Sequence, residues 1–86
     1  MFARVNEGEA INVHNVGFIK VMQINAAGIK PDWTADFYNG GGKPIARSYA
    51  FESEGDCWDF VRKVVSDGSR RDLLEFKHLD GKVVAA

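Results

Sequence analysis

The sequence predicts an α+β fold: an antiparallel β-meander with one amphipathic helix packed on one face, closed by a C-terminal strand or hairpin. Three observations predict it. Trp33, Ala35 and Phe37 alternate with Thr34, Asp36 and Tyr38, the period-two pattern of a strand with one buried and one wet face. Asn39-Gly40-Gly41-Gly42 follows directly, and Asn and Gly are the residues that take up positive φ in a hairpin turn at least strain. Ser53 then precedes Asp56 by three positions, a capping-box pattern in which Asp replaces the usual Glu or Gln.

From the N-terminus, Phe2-Ala3-Arg4-Val5 reads as a short edge strand and Glu7-Gly8 as a turn into residues 10–16, where Ile11 and Val13 alternate with Asn12 and His14. Gly17 breaks that alternation as a bulge or a turn. Residues 18–24, FIKVMQI, form the next strand, half apolar and rich in β-branched side chains. Asn25-Ala26-Ala27-Gly28 reads as a second reversal, and Lys30-Pro31-Asp32 leads into the strand at 33–39.

Pro44 has no N–H to give to a ladder, so it belongs at the start of the returning strand, 45–51. The phase of that strand stays open. Either Ile45, Tyr49 and Phe51 face the helix with the Arg47 stem among them, or Ala46, Ser48 and Ala50 do, and three glycines can shift the register by one. The helix spans 54–66 with Ser53 as N-cap; Cys57, Trp58, Phe60, Val61, Val64 and Val65 form its core-facing stripe. Glu54, Asp56 and Asp59 near its start and Arg62 and Lys63 near its end suit the helix dipole, and Gly68 is placed to close it in the left-handed conformation. Beyond Gly68, Ser69 and Asp72 can cap a second helix carrying Leu73, Phe76 and Leu79. The preferred reading is a strand at 73–78, with Asp80-Gly81 turning into Lys82-Val83-Val84.

Eighty-six residues make a single domain, 1–86, and 45% hydrophobic with 12% aromatic content gives it a real core. Eleven basic and twelve acidic side chains leave a net charge of −1, interspersed along the chain. No global field then draws it to nucleic acid or an anionic membrane. One cysteine excludes an internal disulfide and a thiolate zinc site. No 15-residue apolar run or basic leader opens the sequence and no membrane-length run occurs in it, so the expected location is a reducing cytoplasm.

No residue group has the make-up of a catalytic or metal site, and no cofactor is expected. His14 and His78 are far apart in sequence without a second ligand at metal spacing. Cys57 lies near a helix N-terminus, where thiols are activated, but on the apolar stripe, so it reads as core. The NGGGK segment is followed by Pro44 and a strand rather than by a helix, which makes it a hairpin turn and not a phosphate loop. Lys20, Lys30, Lys43, Arg47, Arg70 and Arg71 are interleaved with Asp32, Asp36, Asp72 and Asp80, the composition of a solvated mixed-charge face. Tyr38 and Tyr49, on the two strands of the hairpin, are the aromatic contact candidates.

The strand pair, glycine-lysine turn, alanine-arginine strand and acidic helix start of ADFYNGGGKPIARSYAFESEGDCWDF resemble small phage anti-CRISPR proteins that block type I surveillance complexes. The same pattern is similar to the three-strand-plus-helix DNA-binding fold of plant ethylene-responsive factors and phage integrase arm domains. Each resemblance covers a third to a half of the chain, and hairpin-then-helix modules in general share it. The first implies a protein-binding inhibitor using Tyr38, Arg47 and Tyr49. The second implies a groove-reading sheet with Thr34, Asp36, Tyr38, Lys43 and Arg47 facing a duplex, where Asp36 would repel phosphate. The expectation is a non-enzymatic, cytoplasmic protein of phage or mobile-element type that binds a protein ahead of nucleic acid, no membrane, with a homodimer open. The partner-binding residues expected are Tyr38, Lys43, Arg47 and Tyr49. A small enzyme or ligand-binding domain is the remaining alternative.

Overall fold

A computed structural model describes the backbone of residues 1–24, 32–79 and 82–85 and the side chains of 1–24 and 32–77. In order the elements are β1 (Phe2–Arg4), β2 (Ala10–Asn12), a 3-10 turn at Val13–Asn15, β3 (Phe18–Gln23), β4 (Trp33–Tyr38), β5 (Pro44–Arg47), α1 (Glu54–Asp67), β6 (Leu73–Leu74), β7 (Phe76–Leu79) and β8 (Lys82–Ala85). The predicted meander is present as the antiparallel sheet β3-β4-β5, and α1 packs on β3 and β4. A second sheet has the order β2-β1-β6, with β6 parallel to β1, and β7 and β8 pair antiparallel. The expected reversal at residues 25–28, residues 30–31 of the expected lead into β4, and the Asp80-Gly81 turn lie outside the described residues, although Leu79 does pair with Lys82 across the last.

Several N- and C-terminal expectations need correction. β1 is the centre of its sheet rather than an edge, because β6 returns from the far end of the chain to pair Phe2 with Leu73 and Ala3 with Leu74. The strand expected over 10–16 stops at Asn12, whose Oδ1 accepts the His14 N–H at 3.0 Å and starts the 3-10 turn. Such a local side-chain bond offers the backbone an alternative to the ladder. Ser69 caps no new helix. Its hydroxyl donates to the Ser66 carbonyl and ends α1, and the strand expected over 73–78 divides at Glu75 into β6 and β7.

The open phase of 45–51 resolves into a switch. A register shift between Phe37 and Tyr38 sets Ala46 opposite Phe37 and Arg47 opposite Asp36. The ladder then kinks: Ser48 Oγ accepts the Ala35 N–H at 2.8 Å and donates to the Tyr49 carbonyl. Tyr49 gives its own N–H to the carbonyl of Val5, the residue that follows β1 of the other sheet, and Phe51 returns to pair with Trp33. Each alternative phase is thus realised over part of the segment, and residues 48–51 tie the two sheets together.

Helix α1 begins as its sequence predicts, with Ser53 Oγ accepting the Asp56 N–H at 3.1 Å. Its Cys57, Phe60, Val61 and Val64 are buried. Phe60 is the centre of an aromatic cluster, edge-on to Tyr49 and tilted against Phe51 and Phe76. Burying each such side chain contributes about 1.5–3 kcal/mol. Trp58 and Val65 depart from the predicted stripe, 37% and 52% exposed, because a stripe of six positions is wider than the strip of helix that β3 and β4 cover. Gly68 departs too, with φ −63°. Its lack of a side chain serves close packing, since a Cβ there would stand 2.8 Å from Val13 Cγ2.

Candidate functional site

The register of β3-β4-β5 decides which side chains share a face. Phe18, Lys20 and Met22 lie opposite Tyr38, Asp36 and Thr34, and Arg47 lies opposite Asp36 from the other side. Cross-strand partners point the same way, so these seven side chains form the face turned away from α1. Ile19, Val21, Ala35, Phe37 and Ala46 form the face beneath it.

The outer face is not the uniformly wet surface that alternation predicts. Thr34 and Asp36, in the central strand, are buried, and Tyr38 is half-buried. Long neighbours on both flanking strands cover the short side chains between them. Arg47 reaches Asp36 through two bonds, Nε to Oδ1 at 2.8 Å and Nη2 to Oδ2 at 3.2 Å. That hydrogen bond, and then the charge of Asp36, raises the Arg47 pKa further above its ordinary value. Thr34 Oγ1 is buried and has no hydrogen-bond partner among the described residues.

At one end of the face Phe18 and Tyr38 stack with ring centroids 4.6 Å apart and 4° between planes, and Lys20 Nζ stands 5.7 Å above the tyrosine ring. Phe18, Met22 and Ile24 are 42%, 40% and 41% exposed. The Asn39-to-Lys43 turn borders this cluster. Asn39 Oδ1 accepts from the N–H groups of Gly41 and Lys43, both at 2.9 Å, and Gly42 takes φ +85°. A groove of about 290 Å³ between α1 and residues 13–19 opens on the helix side, lined in part by Val16, Phe18, Trp58 and Val65.

Of the four side chains expected to contact a partner, the structure brings Tyr38 and Arg47 onto the outer face. Lys43 is exposed in the turn next to it. Tyr49 is a correction: it is 8% exposed and packs edge-on against Phe60, because the kink at Ser48 turns it into the core, and burial raises its pKa. Phe18, Lys20 and Met22 were not among the expected contact residues. Period two alone puts them on one side of β3, but both sides of FIKVMQI are apolar, and only the pairing with β4 shows which is covered.

Cys57 is fully buried, and burial pushes its thiol up to about 11, the opposite of activation. Among the described residues no group of three His, Cys, Asp or Glu side chains is placed to hold a metal ion, and no helix is long and apolar enough to cross a membrane. His14 is exposed beside the Met1 sulfur. No protein-family model, curated protein or solved structure matches the chain.

Proposed function

We propose that this is a small, non-enzymatic protein-binding module that engages its partner through the outer face of β3-β4-β5. The observation that carries the reading is the stack of exposed Phe18 on half-buried Tyr38, with Lys20 above the tyrosine ring and exposed Met22 alongside. Aromatic and Met side chains are enriched at interface centres, where a few rings supply most of the affinity, and charges such as Lys20 belong to the polar rim. The duplex-binding alternative is less well supported, since Arg47, one of the cations it needs for phosphate, is held by Asp36. A carboxylate in the middle of the face also opposes a polyanion.

The resemblance to phage inhibitors of type I surveillance complexes makes a subunit of such a complex, in the cytoplasm of a host cell, the first partner to test. The experiment measures binding of purified protein to a purified surveillance complex and its effect on target-DNA cleavage, for wild type and a Phe18→Ala, Lys20→Ala double variant. Wild type should bind and inhibit, and the double variant should keep its circular dichroism and melting profile while binding at least about tenfold more weakly, a loss of about 1.4 kcal/mol. Binding unchanged in the variant removes this face from the interface. No binding to such complexes removes the inhibitor assignment, and a salt-sensitive complex with duplex DNA in its place promotes the nucleic-acid reading.

A further inference from the structure

We propose that two copies of this chain associate through β3, edge to edge and antiparallel, with Val21 on the dyad, to make a continuous six-stranded sheet. The inference stands whether or not the outer face also holds another protein.

The two edges of β3-β4-β5 are treated differently. β5 starts at Pro44, carries the register shift, and is tied to the neighbouring sheet by the Asn6 side-chain bond to the Arg47 carbonyl and the Tyr49 bond to Val5. Proline, irregularity and a covering segment are the usual ways of blunting an edge. Among the described residues β3 has none of them. It is six residues long, regular and free of proline, and among the described residues no strand pairs with its other side. Its single charge, Lys20, leans over the Tyr38 ring.

The ladder shows which groups are open. Trp33 and Ala35 direct their backbone groups towards the β5 side, bonding Phe51 and Ser48, while Ile24 donates to Asp32 at 2.9 Å. Bonded pairs alternate in an antiparallel ladder, so the even-numbered residues 18, 20, 22 and 24 bond towards β4. Ile19, Val21 and Gln23 therefore turn their N–H and C=O groups to the open edge. A second β3 satisfies all three at once in one register only, with Ile19 opposite Gln23 and Val21 opposite Val21 of the second copy.

Side-chain chemistry selects the same register. It places Phe18 opposite Ile24 and Lys20 opposite Met22, uniting three of the exposed apolar side chains on the outer face. Sliding by one step to centre on Lys20 would set two ammonium groups directly opposite each other, which is destabilising. The apolar groove beside α1 lies on the β3 side of the helix, with Phe18 and Ile19 in its lining together with Trp58 and Val65. Pairing through β3 brings the grooves of both copies to the same seam.

The test is sedimentation equilibrium of the full chain from micromolar to millimolar protein, with two kinds of variant. Wild type should show a monomer–dimer equilibrium. Met22→Lys, at an exposed position, should weaken it at least about tenfold by putting an ammonium opposite Lys20 in both symmetric contacts. For the register, chains carrying Lys20→Cys and chains carrying Met22→Cys are oxidised separately and mixed. Directly opposite residues approach to about 4.5 Å, within disulfide reach, whereas diagonal neighbours stand about 7–8 Å apart. The mixture should crosslink and each variant alone should not; Cys57, fully buried, does not compete. A wild-type chain that stays monomeric throughout, a Met22→Lys chain that dimerises as well as wild type, or efficient crosslinking of Lys20→Cys alone would each overturn the proposal.

Discussion

Replacing Gly17 by alanine tests how the exposed aromatic cluster is held in place. Gly17 donates its N–H to the Tyr38 carbonyl at 2.7 Å, immediately before Phe18. A Cβ there would stand 2.6 Å from both Cα and N of Gly40 and 2.7 Å from the Asn39 carbonyl carbon. All three are backbone atoms, so no side chain can rotate away, and ordinary contact requires the turn and strand to separate by about 1 Å. Forcing one extra carbon into a packed site costs about 1–3 kcal/mol. For a domain of this size each kcal/mol lowers Tm by about 4–8 °C, so Gly17→Ala should melt roughly 5–20 °C below wild type. Gly40→Ala is the control, because a Cβ on Gly40 meets nothing within 4 Å; it should be neutral or stabilising by up to about 1 kcal/mol through the unfolded chain. Differential scanning calorimetry of the three proteins decides. Equal Tm values for Gly17→Ala and Gly40→Ala would show that the strand start and the turn do not touch as described.

The helix offers a second contrast: Phe60→Ala should cost about 3–5 kcal/mol by emptying the centre of the aromatic cluster, and Trp58→Ala only about 1–2, since its groove is already open to water. Chemical denaturation distinguishes them, and equal costs would refute the placement of Trp58. Ser53→Ala, which removes the N-cap acceptor, should cost about 1 kcal/mol in the same assay. Cys57 is held at about 11 against its usual 9.0 by burial, so the folded chain retains a proton that the unfolded chain releases. Stability is then undiminished below about pH 9 and falls as the pH rises through 9 to 11; urea midpoints across that range should decline, less steeply in Cys57→Ala.

How much of this was legible in the sequence depends on the range of the interaction that decides each element. The β4–β5 turn and the α1 start are set by residues a few positions apart, Asn39 with Lys43 and Ser53 with Asp56, and both were readable. The position of β1 was not, because its second neighbour is Leu73–Leu74, some seventy residues away. Tyr49 and Asp36 failed for a related reason. Alternation assigns a side chain to a face on the assumption of an unbroken ladder, whereas Ser48 inserts its hydroxyl into that ladder and turns Tyr49 inward. Asp36 lost its exposure to a neighbour, Arg47, that the sequence places eleven positions away with no sign of register. The stripe of α1 was readable in composition but not in width, since the number of helix residues a sheet covers is a property of the sheet.

The row Lys20–Asp36–Arg47, one residue from each strand, bears on what the outer face can recognise. A carboxylate between two cations across a sheet could serve either, and here Arg47 takes both oxygens while Lys20 turns to Tyr38. The guanidinium is thereby fixed in place but largely neutralised, and the ammonium is the cation left for an acidic group on a partner. A duplex would need both as phosphate ligands; a protein needs only one charge beside a rigid apolar cluster. Asp36→Asn separates these uses. It keeps the side chain's shape, raises the net charge by one and loosens Arg47. If the face reads a duplex, affinity should rise with the loss of a repelling carboxylate and the salt slope should steepen by about one. If the face binds protein, affinity should fall, because an Arg that is no longer pre-positioned must be ordered on binding at about 0.5–1.5 kcal/mol. The direction of the change, measured against both kinds of partner at fixed salt, is the observable, and a rise in duplex affinity would reverse the ranking argued above.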